Sequence, residues 1–106
     1  MLFRSVNGSF SKRFFATAQE LGKHPTAVET SLGEGFSFQE VPISQKTELI
    51  CFTHNETSTG VMLPAGEIKN LAKKYPNMLV AVDLVSSAPY ADLDYKLLDV
   101  VFFSVQ

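Results

Sequence analysis

The chain has 106 residues, of which 45% are hydrophobic and nine are phenylalanine, enough for one packed core and too few for two domains. Nine Lys and Arg stand against eleven Asp and Glu, a formal charge of -2, so no basic excess points to nucleic acid or an anionic membrane surface as a partner. The single cysteine, Cys51, has no partner for an internal disulfide, and no apolar run approaches the roughly 20 residues of a membrane-spanning helix; a reducing, soluble compartment is expected.

The opening stretch "MLFRSVNGSF" carries Arg4 and lacks a long hydrophobic segment with a small-residue cleavage site, so it reads as structure rather than as a secretory signal. Leu2 to Val6 form a β-prone run, and Asn7-Gly8 is a turn with Ser9 or Ser11 placed to cap a helix. Between Ser11 and Leu21, Phe14, Ala18 and Leu21 recur at helical spacing, and Gly22-Lys23 is a stop signal. From His24 to Ile43, Pro25, Gly33, Gly35 and Pro42 break the pattern, leaving short strands expected around Ala27 to Thr30 and Phe36 to Glu40. "ELICFTH" (Glu48 to His54) is an apolar run of the kind covered on both faces of a parallel sheet. "NETSTG" follows as a loop. Pro64 suits the first turn of a helix with the apolar face Ile68, Leu71, Ala72 and Tyr75, ended by Tyr75-Pro76-Asn77. "MLVAVDL" (Met78 to Leu84) and "VVFFSV" (Val100 to Val105) read as two further buried strands, separated by the polar "SSAPYADLDYKLLD". Strand, helix and strand in this succession make a βαβ unit, so the fold class is α/β, a mainly parallel sheet with flanking helices.

Ligands of open parallel sheets bind beyond the carboxyl ends of the strands. Each clear strand here ends in polar residues: His54 to Thr59 after the first, Asp83 with Ser86-Ser87 after the second, Ser104 and Gln106 after the third. Asp83 directly follows Leu79 to Val82, so its carboxylate calls for a cationic or hydrogen-bonding partner; the residues alone leave open that it simply caps a helix begun at Val85 or Ser86. Thr57, Ser58 and Thr59 fit ordinary loop hydroxyls equally well. His54 has only His24 for company and the acidic residues are scattered, which disfavours a metal site. Cys51 lies within an apolar strand and reads as a small hydrophobe. "GEGF" lacks the Lys-Ser/Thr of a P-loop.

"THNETSTGVMLP", "VAVDLVSSAP" and "FFSVQ" resemble, in order and spacing, the middle of the large domain of class V pyridoxal-phosphate aminotransferases, in particular the phosphoserine aminotransferase group. "NGSFSKRFFATAQELGK" is similar to that family's strand-turn-helix segment upstream. The resemblance implies a fold-type I large domain of which residues 1–106 are an internal part, stopping one residue before the lysine that holds the cofactor as a Schiff base. It implies that Asp83 pairs with the protonated pyridine nitrogen, keeping the ring an electron sink. The resemblance implies as well that Thr57 hydrogen-bonds the cofactor's ring oxygen and that Gln106 lies beside its phosphate or ring. No catalytic residue is carried by the chain itself, and the piece alone is expected not to transaminate. The implied parent is a cytoplasmic homodimer acting on an amino acid and a 2-oxo acid, in the first instance phosphoserine and 2-oxoglutarate in serine biosynthesis. An alanine-glyoxylate or serine-pyruvate aminotransferase is the alternative within the family. A flavodoxin-like small-ligand module is the alternative outside it.

Overall fold

Two apolar runs and the helix between them build the centre of the molecule. The computed structural model describes residues 2–6, 8–29, 31, 37 and 43–104, and for residues 2–6 the backbone only. Strand β3 (Leu49–Thr53) leads through a short hairpin, β4 (Asn55–Glu56) and β5 (Val61–Met62), into helix α2 (Ala65–Lys74), and then into β6 (Leu79–Asp83). β3 and β6 pair in parallel, Leu49 opposite Leu79 through Thr53 opposite Asp83. Because side chains alternate across a strand, Ile50, Phe52, Val80 and Val82 point to one face and are sealed there by Ile68 and Leu71 of α2, with Leu63, Met78, Leu84 and Leu93 closing the cluster. Pro64 stands just ahead of α2 as its N-cap rather than in the first turn, at φ -59° and ψ 133°, and its carbonyl accepts from Glu67 N–H at 3.1 Å. Glu67 lies in that first turn and Lys73 and Lys74 in the last, each favourable to the helix dipole.

The N-terminal third adds β1 (Leu2–Val6), α1 (Ser9–Glu20) and β2 (Pro25–Glu29). α1 closes in a Schellman arrangement: Gly22 N–H donates to the Gln19 carbonyl and Lys23 N–H to the Ala18 carbonyl. Gly22 takes the left-handed conformation, φ 73°, that this closure requires. A final strand, β7 (Val100–Phe102), pairs in parallel with β6. The five-stranded sheet has the order β2-β1-β3-β6-β7, and all its pairings are parallel. No helix among the described residues is long and apolar enough to cross a membrane.

Four expectations need correction. β7 was expected to be buried on both faces; Val100, Val101 and Phe102 are 52%, 38% and 36% exposed, because the strand lies at the sheet edge, where the ring of Phe14 of α1 stacks on Phe102 at 5.8 Å. The "NETSTG" loop is instead the turn of a hairpin, which forms because Gly60, at φ 71°, lets the chain reverse so that its N–H reaches the Glu56 carbonyl. Asp83 caps no helix: residues 85–90 are turns, and Asp83 Oδ1 accepts from the Val85 N–H at 2.9 Å, a local side-chain turn. Helix α1 starts at Ser9 rather than Ser11, for a reason that lies in the neighbouring loop. The strand expected at Ala27 to Thr30 corresponds to β2, while that expected over Phe36 to Glu40 and the end of the "VVFFSV" run fall outside the described residues.

Candidate functional site

The carboxyl ends of β3 and β6 are tied together by polar bonds of the residues that follow them. His54 N–H donates to the Asp83 carbonyl at 3.1 Å. His54 Nδ1 and Ser87 Oγ lie 2.9 Å apart, both side chains buried. Asn55 Nδ2 donates to Ser86 Oγ at 3.0 Å, and Ser86 Oγ donates to the Asn55 carbonyl at 2.7 Å. Burial holds the His54 imidazole below its ordinary pKa against a bond to the Leu63 backbone that works the other way, so the ring is neutral near pH 7 and serves as a structural strut. These ties give the sheet edge one rigid rim. A hollow of about 580 Å³ opens on the α2 side of the rim, between His54, Met62, Ser87 and Tyr90.

Asp83 faces the other side. Its carboxylate, half-buried, is at the head of a groove of about 630 Å³ that runs between α1 and the sheet past Phe10, Arg13, Phe14, Cys51, Ala81 and Phe102. Oδ1 is held by Val85 N–H; no described residue donates to Oδ2. A carboxylate fixed by one oxygen, with the second left over at the end of a buried strand, suits a cationic N–H donor of a ligand. Thr57 is exposed, on the hairpin turn four residues beyond Thr53, the register partner of Asp83. Gln106 lies outside the described residues, so of the three residues singled out in the sequence, Thr57 and Asp83 are found at the carboxyl edge of adjacent strands.

Sequence reasoning missed Glu56. Its side chain is wholly inaccessible to solvent, although glutamate is among the residues least often buried. Oε2 accepts from Ser11 N–H at 3.0 Å, and Oε1 from Phe10 N–H at 3.3 Å and from Ser58 Oγ at 2.8 Å. Ser58 Oγ in turn accepts from Ser9 N–H at 3.0 Å. Burial pushes this carboxyl up, but the Ser11 backbone bond, with those from Ser58, the Ser11 hydroxyl and the Phe10 backbone, outweighs it and holds the group below its ordinary value. The opening amides of α1, which a helix cannot satisfy internally, are thus taken by a loop 45 to 49 residues away. That is why the helix begins at Ser9. Gly8 lies against this carboxylate: a Cβ there would stand 2.5 Å from Glu56 Cδ and 2.6 Å from Ser58 Oγ. The space where a helix N-cap side chain normally lies is filled from across the sheet edge.

The position has a chemical consequence. β1 connects through α1 to β2 on one side while β3 lies on its other side, so the switch point of this doubly wound sheet falls between β1 and β3. A flavodoxin-like module of this strand order would seat a ligand phosphate there, on the helix N-terminus. Here a carboxylate has the place, and an anion would meet a like charge. The Asp83 carboxylate, at the end of the next strand, lines the groove instead.

Comparison with known proteins identifies the family of the chain. Residues 33–106 match the family described as "Aminotransferase class-V". The phosphoserine aminotransferases of Rhodococcus opacus and Rhodococcus jostii are each 31% identical over 101 residues, which is 95% of this chain and 26% of theirs. The chain therefore spans about a quarter of the length of these curated relatives. Among solved structures, a phosphoserine aminotransferase from Cytophaga hutchinsonii superimposes with a TM-score of 0.91 at 46% identity, over 97% of this chain and 28% of that one. An alanine-glyoxylate aminotransferase from Nostoc shares the fold, TM-score 0.81 at 23% identity, over 96% of this chain and 28% of its own. The α/β unit described above is a portion of the aminotransferase large-domain fold, and the chain belongs to the class-V aminotransferase family.

Proposed function

We propose that the chain is the cofactor-binding portion of a longer pyridoxal-phosphate-dependent aminotransferase that moves an amino group between phosphoserine and 2-oxoglutarate. The observation that carries this reading is Asp83: a half-buried carboxylate at the end of a central strand, one oxygen fixed by Val85 N–H and the other without a donor among the described residues. The 46% identity to a phosphoserine aminotransferase supports the substrate assignment, and the family's general dependence on pyridoxal phosphate supports the cofactor. When bound, that cofactor supplies an electron sink for the substrate's α-carbon. Asp83 would accept from the pyridine N–H and, as an anion, keep that nitrogen protonated. Thr57 would donate its hydroxyl to the ring oxygen, and Gln106 would lie beside the cofactor. The buried rim of His54, Asn55, Ser86 and Ser87 would hold Asp83 and the hairpin turn at a constant separation, which is what a rigid planar ligand requires. The lysine that anchors the cofactor and the residues that recognise the substrate phosphate would come from the rest of the longer protein.

The test is an assay of that longer enzyme with O-phosphoserine and 2-oxoglutarate, set beside alanine and glyoxylate. Faster turnover of the first pair is expected, with Asp83→Ala reducing it to near background while the protein stays folded by circular dichroism. Equal or faster turnover of the second pair refutes the substrate assignment. Undiminished turnover in the Asp83 variant refutes its role.

A further inference from the structure

Glu56 and Ser58 flank Thr57 in sequence, and both reach to the same turn of α1. Glu56 takes the amides of Phe10 and Ser11, Ser58 the amide of Ser9, and the two side chains are joined to each other at 2.8 Å. On the loop side, the Glu56 carbonyl accepts from Thr59 N–H at 3.2 Å and Gly60 N–H at 2.8 Å. The backbone on either side of Thr57 is therefore fixed, although Thr57 itself is exposed. The anchor is a helix rather than another loop. Phe10 in its first turn also lines the groove that Asp83 heads, so one helical turn adjoins both candidate cofactor residues. A cavity-filling or core role does not explain a buried carboxylate here, since an apolar side chain would fill the space at lower desolvation cost. What the carboxylate adds is direction, because each oxygen is committed to a particular amide.

We propose that Glu56, with Ser58, is a positioning residue that uses the N-terminus of α1 to hold the Thr57 hydroxyl in place for the cofactor. This rests on the cofactor reading of Thr57 given above. The mechanism is one of pre-organisation: a turn already held in its bound shape loses no further conformational entropy when the ligand arrives. It also reserves the α1 terminus for a protein carboxylate, so the cofactor phosphate is held elsewhere.

The experiment uses the longer enzyme, stripped of cofactor and titrated with pyridoxal phosphate, its binding followed by absorption. Four proteins are compared, the wild type, Thr57→Val, Glu56→Gln and the double variant, with hydrogen exchange of the Phe10 and Ser11 amides read in parallel. Ser58→Ala serves as the milder variant should Glu56→Gln fold poorly. Glu56→Gln is expected to weaken cofactor binding about tenfold, the loss of a bond to a charged acceptor, and to shift the absorption maximum. In the Thr57→Val background the same change should have little further effect, since the hydroxyl it positions is already gone. Faster exchange at Phe10 and Ser11 with affinity and absorption unchanged would reduce Glu56 to a helix cap and overturn the proposal. Equal losses in both backgrounds would overturn it too, leaving the role of Thr57 intact. A Thr57→Val protein with wild-type affinity and absorption would overturn the reading of Thr57 and the proposal together.

Discussion

Replacing Gly8 by alanine adds one methyl group at a point where the backbone imposes no objection. Gly8 is at φ 177° and ψ -170°, extended backbone that alanine adopts freely. The objection is spatial. The new carbon would lie 2.5 Å from Glu56 Cδ and 2.6 Å from Ser58 Oγ, where carbon contacts settle near ~3.5 Å. The Glu56 carboxylate would have to retreat by about 1 Å, stretching its bond from Ser11 N–H beyond hydrogen-bond range and weakening that from Phe10. Losing a buried bond to a charged acceptor costs about 1.5–3 kcal/mol, and overpacking of a filled site about 1–3 kcal/mol. Since the movement that relieves the second incurs the first, we expect a local destabilisation of about 3 kcal/mol. That corresponds to roughly hundredfold faster hydrogen exchange at the Phe10 and Ser11 amides. Gly66 is the internal control: an exposed helical glycine with nothing within 4 Å of an added Cβ, where alanine should stabilise α2 by about 0.5–1 kcal/mol. Less than about 0.5 kcal/mol of loss for Gly8→Ala, or equal effects at the two glycines, would show that Glu56 does not occupy the N-cap space.

Other expectations follow from single bonds. His54 has a pKa below 6.5 through burial, so the folded state binds fewer protons than the unfolded one; its contribution is full above pH 6.5 and is lost as pH falls through the lower folded value. Urea midpoints measured between pH 7 and 5 should decline for the wild type and decline less for His54→Gln; parallel curves would refute this. Asp99 holds β6 by two bonds, its Oδ2 accepting from Val80 N–H at 2.7 Å and its own N–H donating to the Val80 carbonyl at 3.0 Å. Asp99→Ala leaves the Val80 amide without its acceptor and should cost about 1–3 kcal/mol, whereas Asp99→Asn, which keeps an oxygen, should recover most of it. Equal midpoints for the two variants would mean that the side-chain bond is not made.

The strands and helix of the central unit are legible because their signals are local. Four of the five residues of β3 are buried, as an unbroken apolar run between polar flanks requires, and α2 shows its buried face at helical spacing through Ile68 and Leu71. β7 reads the same way in sequence yet is exposed. An apolar run reports the tendency to be covered, and what covers it is decided by other parts of a chain. The hairpin at Asn55 to Met62 escaped notice because its strands are two residues each, too short for alternation to register. Asp83 was legible from its place at the end of an apolar strand, and Thr57 only through the family resemblance. Glu56 was not legible at all, since its partners lie 45 and 46 residues earlier and nothing in "NETSTG" marks one polar side chain as the buried one.

The long span of the Glu56 bond bears on the order in which the molecule assembles. β3, α2 and β6 follow one another with only the short β4-β5 hairpin intervening, and they meet in the same core through Ile50, Phe52, Ile68, Leu71, Val80 and Val82, so their association closes only short loops. The bond from Glu56 to α1 closes a loop of about 45 residues, whose entropy must be spent before the bond returns anything. The βαβ unit is therefore the natural nucleus, with α1 docking onto an edge that already exists. Weakening the dock should leave the folding rate nearly untouched and appear almost entirely as faster unfolding. The bond from Glu56 is thus expected to act on the lifetime of the folded state rather than on the rate at which it forms.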